Sequence, residues 1–264
     1  FKTYGVDTQD KNTAQPFVTY ANDRKQVKAV LRTGGNIEVK KDGATAAEQT
    51  FFSYEDALNY LDDKSKSGSY TISNNVEAVF TKKDADALKA FRNDKVSLTF
   101  ESGVRTDNGD KAFDYKEDFN SKDSIYRYRI LLECGNEIEL PKNLDVTFYS
   151  CLFQLKRGID NVTIIGNGGE TRFKHLNRFV KTDDDQEIYP DVYGGTKAAK
   201  AADAKDAIIC VESKAFTGNT GFHVMEYTNI GSVRINKLYN FDTVKYEGND
   251  AKLYFYGDVL ADKE

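Results

Sequence analysis

Tryptophan is absent from the 264 residues, and methionine (one), histidine (two), cysteine (three) and proline (three) are scarce. Three cysteines are too few for a disulfide scaffold, and with two histidines they are a poor source of ligands for a Cys/His zinc centre. No apolar run approaches the roughly 20 residues that cross a bilayer as a helix, so no membrane span is expected. A formal charge of −5 and a pI near 5.3 argue against a chain whose main task is to coat nucleic acid or anionic lipid. What is present is 39% hydrophobic and 30% charged residues, with 12% aromatics. That is the composition of a folded, water-soluble chain long enough to bury a sizeable core.

The sequence begins at Phe1, without an initiator methionine or the basic-then-apolar pattern of a signal peptide, which reads as a processed chain or a fragment. Cys134, Cys151 and Cys210 each lie in an apolar run and read as buried free thiols that act as small hydrophobes. A catalytic thiol needs a base beside it, and His175 and His223 are the only histidines to supply one.

Three helix-then-strand units fill the first hundred residues. Asn22–Leu31, Ser53–Leu61 and Thr81–Phe91 read as helices opened by the N-caps Asn22, Ser53 and Thr81. Asp56 and Asp84 follow three residues after the second and third caps, as in a short-armed capping box. Asn36–Lys40, Ser69–Ile72 and Lys95–Phe100 alternate apolar and polar residues and read as strands. The polar, turn-rich stretch from Gly103 to Ser124 is the expected boundary. It divides an α/β cap region, residues 1–105, from a second domain, residues 106–264.

Past this stretch the helical period disappears. Short strands are expected at Tyr126–Glu133, Asn136–Leu140, Asp145–Phe148, Asn161–Ile165, Ala207–Val211, Phe222–Glu226, Ser232–Asn236 and Lys252–Tyr256. Leu144–Phe148, Ile159–Ile164 and Ile230–Ile235 share an apolar lead, a polar step, then Val-x-Phe or Val-x-Ile. Ile138 and Val162 are 24 residues apart, as are Ile209 and Val233, and Val233 and Leu253 are 20 apart. Such a period suits a β-solenoid, where each rung pairs with the next, better than a sandwich with hairpins every 8–12 residues or so. The expected fold class is mainly β: a parallel β-helix (β-solenoid) preceded by N-terminal helix–strand units. Val146, Val162 and Val233 are expected in one interior column.

Ile159-Asp-Asn-Val-Thr-Ile-Ile-Gly-Asn-Gly-Gly169 resembles a coil of right-handed parallel β-helix proteins, the group that includes pectate-lyase-like enzymes and the tailspikes and fibres of bacteriophages. Arg24–Lys40, read as a helix followed by Gly-Gly-Asn-Ile-Glu-Val, resembles their N-terminal cap. An open solenoid end exposes core and unpaired strand edge and needs a cover. The resemblance covers Glu133–Gly169 well and Ser213–Tyr256 loosely. Its motifs are those of a fold, and no catalytic signature of a lyase or hydrolase accompanies them.

Asp183, Asp184, Asp185 and Glu187 crowd hard oxygen ligands into one loop. They suit Ca2+ chemically, though they lack the spacing of a helix-loop-helix calcium site, and a solvated acidic loop is the simpler reading. Paired acids for glycoside hydrolysis need a fixed separation that adjacency in sequence does not show. Gly166-Asn-Gly-Gly169 is followed by neither Lys-Ser/Thr nor a helical pattern, so it reads as a turn between strands and not as a phosphate cradle. Gly194–Asp206, rich in Ala and Lys, reads as a surface loop that projects from one coil. Most of the 17 Phe and 16 Tyr are assigned to the core. Tyr189, Tyr193, Tyr227 and Tyr246 are the candidates for exposed stacking platforms of the kind that bind sugars.

The expected function is a structural or adhesive virion component, such as a phage tail, fibre, spike or head-decoration protein. Its partners are then copies of itself or other virion proteins, its ligand a cell-surface polysaccharide, and its location the virion or the extracellular space. No cofactor is expected apart from the Ca2+ reading above. A carbohydrate-active enzyme (polysaccharide lyase or glycoside hydrolase) on the same scaffold and a secreted bacterial adhesin domain are the alternatives, because a fold alone does not decide function. The strand Lys252–Tyr256 has no cap after it, so its neighbour is expected to be another chain or a missing continuation of this one, with a closed cyclic oligomer as the favoured route.

Overall fold

The computed structural model describes residues 16–20, 27–31, 35–103, 127–174, 177–182, 186–197, 208–212, 233–247, 253–255 and 259–260. Among the described residues the protein is mainly β, with two helices, and its sheets are largely parallel. It opens with an antiparallel pair, β1 (Pro16–Tyr20) and β2 (Val27–Leu31). This corrects the helix expected over Asn22–Leu31. Val27 and Val30 are β-branched and stiff at χ1, which favours strand, and β1 supplies the backbone partner.

The next two helix–strand units form as the sequence indicates. The hairpin β3 (Ile37–Lys41) and β4 (Gln49–Phe51) leads into α1 (Tyr54–Leu61), β5 (Gly68–Asn74), β6 (Ala78–Phe80), α2 (Lys82–Ala90) and β7 (Val96–Ser102). The Ser53 hydroxyl accepts the Asp56 amide at 3.0 Å. Thr81 and Asp84 form a reciprocal capping box at the start of α2.

The remaining strands are short: β8 (Ile130–Leu132), β9 (Glu137–Glu139), β10 (Val146–Tyr149), β11 (Leu152–Leu155), β12 (Thr163–Ile165), β13 (Glu170–Lys174), β14 (Arg178–Lys181) and β15 (Glu187–Ile188). They continue as β16 (Asp191–Tyr193), β17 (Ile208–Glu212), β18 (Val233–Ile235), β19 (Lys237–Tyr239), β20 (Thr243–Glu247), β21 (Leu253–Phe255) and β22 (Val259–Leu260). The first sheet has the order β20-β17-β13-β10-β7-β5-β3-β4, the second β15-β14-β11-β8-β6 and the third β22-β19-β16-β12-β9. Consecutive strands β10, β11 and β12 enter the first, second and third sheets in turn, and β13, β14 and β16 do so again. Among the described residues, every pairing made by β7 and later strands is parallel except β14 with β15. The first sheet holds strands from both sides of residue 105. The polar stretch 104–126 and the strand expected at Phe222–Glu226 lie outside the described residues.

Parallel register stacks like side chains in columns. In the first sheet Phe100, Phe148 and Phe173 are neighbours, with ring centroids 6.1 and 5.7 Å apart. In the second, Ala78, Ile130, Phe153 and Phe179 align; in the third, Ile138, Ile164, Val192 and Leu238. All are buried and belong to one core. Val146, Val162 and Val233 are buried in the same core but do not share a column. Val146 aligns with Leu98 and Thr171, Val233 with Leu253, and Val162 lies just before β12. The repeated Val-x-apolar pattern recurs on different sheets, because each sheet buries alternate residues by the same rule.

Buried polar side chains serve the bends between sheets. Asn74 donates to the carbonyls of Val76 and Arg129 and accepts the Gly103 amide. The Ser102 hydroxyl accepts the Leu152 amide at 2.9 Å, and Asn177 accepts Cys151 N while donating to Phe148 O. Backbone groups that leave the ladder at these bends are thereby paired. Gly169 is sterically required: a Cβ there would stand 2.0 Å from the Leu144 carbonyl oxygen.

A clip fastens the segment after α1 to the β3–β4 hairpin. The Lys66 ammonium donates to Glu48 and to Tyr60 Oη, and Tyr60 donates to Glu48 at 2.5 Å. Hydrogen bonds from Lys66, then from Tyr60, lower the Glu48 pKa, and the Glu48 bond foremost raises that of Lys66. A depressed carboxylate stabilises the fold above its unfolded pKa and loses that contribution as pH falls; a raised lysine does so below its unfolded pKa and loses it as pH rises. Protection of the Ser65–Gly68 amides, the exchange rate measured against the intrinsic rate at each pH, is therefore expected to fall below about pH 4 and above about pH 10, and to hold between. A second expected outcome concerns the core column. Phe148→Ala leaves a void between two stacked rings and lowers unfolding free energy by about 3–5 kcal/mol in a guanidinium titration.

Candidate functional site

Side chains on the outer face of the second sheet meet the start of both helices in a groove of about 750 Å3. Its floor is the outward row Val79, Leu131 and Gln154, set side by side by the register of β6, β8 and β11. Phe52, Ser53 and Glu55 form the wall on the α1 side, and Thr81, Lys83 and Asp84 that on the α2 side. Phe52 is 41% exposed and Val79 43% exposed. Two large apolar groups so exposed in one concavity leave a patch that a ligand can cover.

Asp84 holds the groove in shape. Its carboxylate is buried and accepts Glu55 N at 2.6 Å from α1, and Thr81 N at 2.6 Å and Thr81 Oγ1 at 2.7 Å from α2. Both helix N-termini, where unsatisfied amides create positive potential, thus converge on one internal carboxylate. Glu55, Glu77 and Asp84 outnumber Lys83 and Arg129 along the lining. An anionic ligand would be repelled by the acidic lining and gain nothing from helix ends already neutralised, whereas a neutral, hydroxyl-rich one meets no such repulsion. Glu77 is itself oriented, since its Oε2 accepts Arg129 N at 2.7 Å.

The residues singled out from the sequence lie elsewhere. Asp183, Asp184, Asp185 and Tyr227 fall outside the described residues. Glu187 sits on β15, half-buried, with Arg178 Nε 3.9 Å away. Tyr189 is half-buried between β15 and β16. Tyr193 lies on the third sheet and stacks on Tyr239, with centroids 4.8 Å apart, a partner that the sequence did not indicate. Tyr246 is exposed on β20 of the first sheet. Glu187, Tyr193 and Tyr246 therefore occupy three different sheets, and none of them lines the groove. Phe52 carried one legible signal: it stands immediately before the N-cap Ser53, the place of a hydrophobic staple residue. Val79 carried none, because only the pairing of β6 with β8 turns it outward.

The thiols are poor nucleophiles. Burial pushes the Cys151 pKa up strongly, and its Sγ lies 3.1 Å from Phe100 O. Desolvation pushes Cys134 up to about 11. Cys210 is buried, and His175 and His223 lie outside the described residues. Among the described residues, no three His, Cys, Asp or Glu side chains gather as a metal-binding group, and no helix is long and apolar enough to cross a membrane. Removing the carboxylate that joins the two helix ends is expected to cost about 2–3 kcal/mol, the loss measured as a lower unfolding midpoint of Asp84→Ala. No family model matches the sequence, and neither the curated proteins nor the solved structures give a significant match.

Proposed function

We propose that the three-sheet arrangement is a parallel β-helix of the tailspike and fibre type, and that the chain is a non-catalytic, structural or adhesive component of a virion. In this reading it assembles with copies of itself or with other virion proteins, and its groove takes a neutral surface glycan. The β-helix reading is supported by the cyclic visiting order of the three sheets and by their in-register columns. The binding reading rests on one juxtaposition: exposed Phe52 and Val79 beside Gln154, Glu77 and Arg129 in a single concavity. Apolar platforms take the C–H faces of sugars, and the rim of amide, carboxylate and guanidinium groups takes their hydroxyls.

Glu55 and Glu77 both line the groove, which favours a glycoside hydrolase as the second reading, since that chemistry needs two carboxylates. A secreted bacterial adhesin shares the binding chemistry and differs in where the chain resides.

Calorimetry against a panel of neutral and acidic polysaccharides tests the groove. Binding of a neutral glycan is expected, weakened roughly tenfold or more by Phe52→Ala and by Val79→Asp, a loss on the scale of one buried apolar contact. Indifference to both substitutions, or preference for acidic chains, overturns the assignment. No new reducing ends are expected; their release, abolished by Glu55→Gln or Glu77→Gln, would establish the hydrolase instead. Immunogold labelling of virus particles from the source of the chain tests the virion part, and unlabelled particles overturn it.

A further inference from the structure

We infer that β20, the last strand of the eight-stranded sheet, pairs antiparallel with β20 of a second copy, joining two chains end to end. This deepens the assembly part of the reading above and is independent of the groove.

The inward columns of the first sheet are buried until they reach β20. Val146, Thr171 and Ile209 are fully buried, whereas Val244, next in register, is only half-buried. Phe148 and Phe173 are buried, and their column continues by register through Val211 to Tyr246, which is 53% exposed. Tyr246 thus occupies a core position on the last strand of the sheet, which among the described residues has a neighbour on one side only. The opposite end is closed by α1 and α2, whose Tyr54, Leu58, Leu61 and Leu88 are buried. Proteins blunt an open edge with proline or with charges pointing inward. β20 reads Thr-Val-Lys-Tyr-Glu, and its two inward positions are apolar.

The outward positions indicate what covers this edge. Lys245 lies 3.3 Å from Glu170, and Glu247 lies 2.7 Å from Arg172, so the edge carries adjacent charges of opposite sign on one face. In an antiparallel pair centred on Tyr246, Tyr246 meets its own copy on the inner face. Lys245 then meets Glu247 of the second copy on the outer face, and the same pair repeats through the two-fold axis. Centring on Lys245 would oppose two lysines, and a one-residue slip would turn inward groups outward. The charge pattern is self-complementary in one register.

Light scattering on the full chain is expected to give a particle of twice 29.7 kDa. Lys245→Glu and Glu247→Lys, each placing like charges opposite, are expected to give folded monomers by circular dichroism. The double exchange Lys245→Glu/Glu247→Lys is expected to restore the dimer. Without any variant, amide exchange over Thr243–Glu247 is expected to slow as protein concentration rises. A monomer at all concentrations overturns both this pairing and the self-assembly reading. A dimer that survives Lys245→Glu, or exchange at β20 that ignores concentration, overturns the pairing alone and leaves assembly through another face or with another protein.

Discussion

Phe148 lies between Phe100 and Phe173, each ring nearly parallel to the next at interplanar angles of 28° and 22°, and this stacked column fixes the relation between neighbouring strands. Strands of three to five residues bury too little on their own to be stable. Their stability comes from alignment, because a parallel pair brings the same kind of side chain together along the stack. A slip of one residue would exchange each inward side chain for an outward one. The neighbouring inward column, through Leu98 and Val146, includes a polar member. Thr171 stands between Val146 and Ile209, its Oγ1 buried without a hydrogen-bond partner among the described residues. That hydroxyl has a steric consequence at Gly166, where a Cβ would stand 2.6 Å from it and 2.6 Å from the Gly194 carbonyl oxygen.

Alignment inside the sheets requires that the bends between them be equally regular, since a strand displaced at its start would miss its column. Asn143, Ser150, Asn167 and Asn240 adopt positive φ at these bends, a region that Asn enters more readily than most residues. Amides from one bend reach carbonyls of the next: Asn143 N donates to Asn167 O, and Asn167 N to Gly195 O. Asn167 Nδ2 also donates to Leu140 O and Asn240 Nδ2 to Thr196 O. The Gly166-Asn-Gly-Gly169 segment belongs to this bend. Rigid bends also explain how a side chain such as Gln154 comes to stand beside Leu131, from which it is distant in sequence.

Local features were legible and relational ones were not. Ser53, Thr81 and Asp84 announced α1 and α2 because a cap acts within three residues of itself, and the capping box at Asp84 forms as read. What no window could show is that the same carboxylate also accepts the Glu55 amide, 29 residues away in sequence. Val146 with Val162 and Val233 failed as a column because identical patterns arise on every sheet that buries one face. The spacing of Val233 and Leu253 did correspond to a real pair, whereas Ile138 pairs with Ile164 and not with Val162. β10 was expected at Asp145–Phe148 whereas β11 was not, since only Ser150 and Cys151 separate the two and the bend there is a φ of 48° at Ser150. The acidic loop drew attention because its residues are adjacent in sequence. The groove drew none because its residues come from five separate segments.

A parallel stack leaves its two ends unequal. At the end marked by β6, the first strand of the second sheet, the chain turns antiparallel through β3 and β4 and lays two helices across the core, held together by Asp84. Covering the core there forces the helix starts over the outer face of the sheet, and the groove is the space between them. At β20 no change of direction intervenes, and among the described residues this last strand of the first sheet pairs on one side only, with apolar side chains at its inward positions. The helix cover that closes one end thus forms a concavity with fixed walls. The uninterrupted ladder at the other end presents a strand edge, suited to another strand. Because the two features stand at opposite ends of the column, the groove and the β20 edge are separate surfaces.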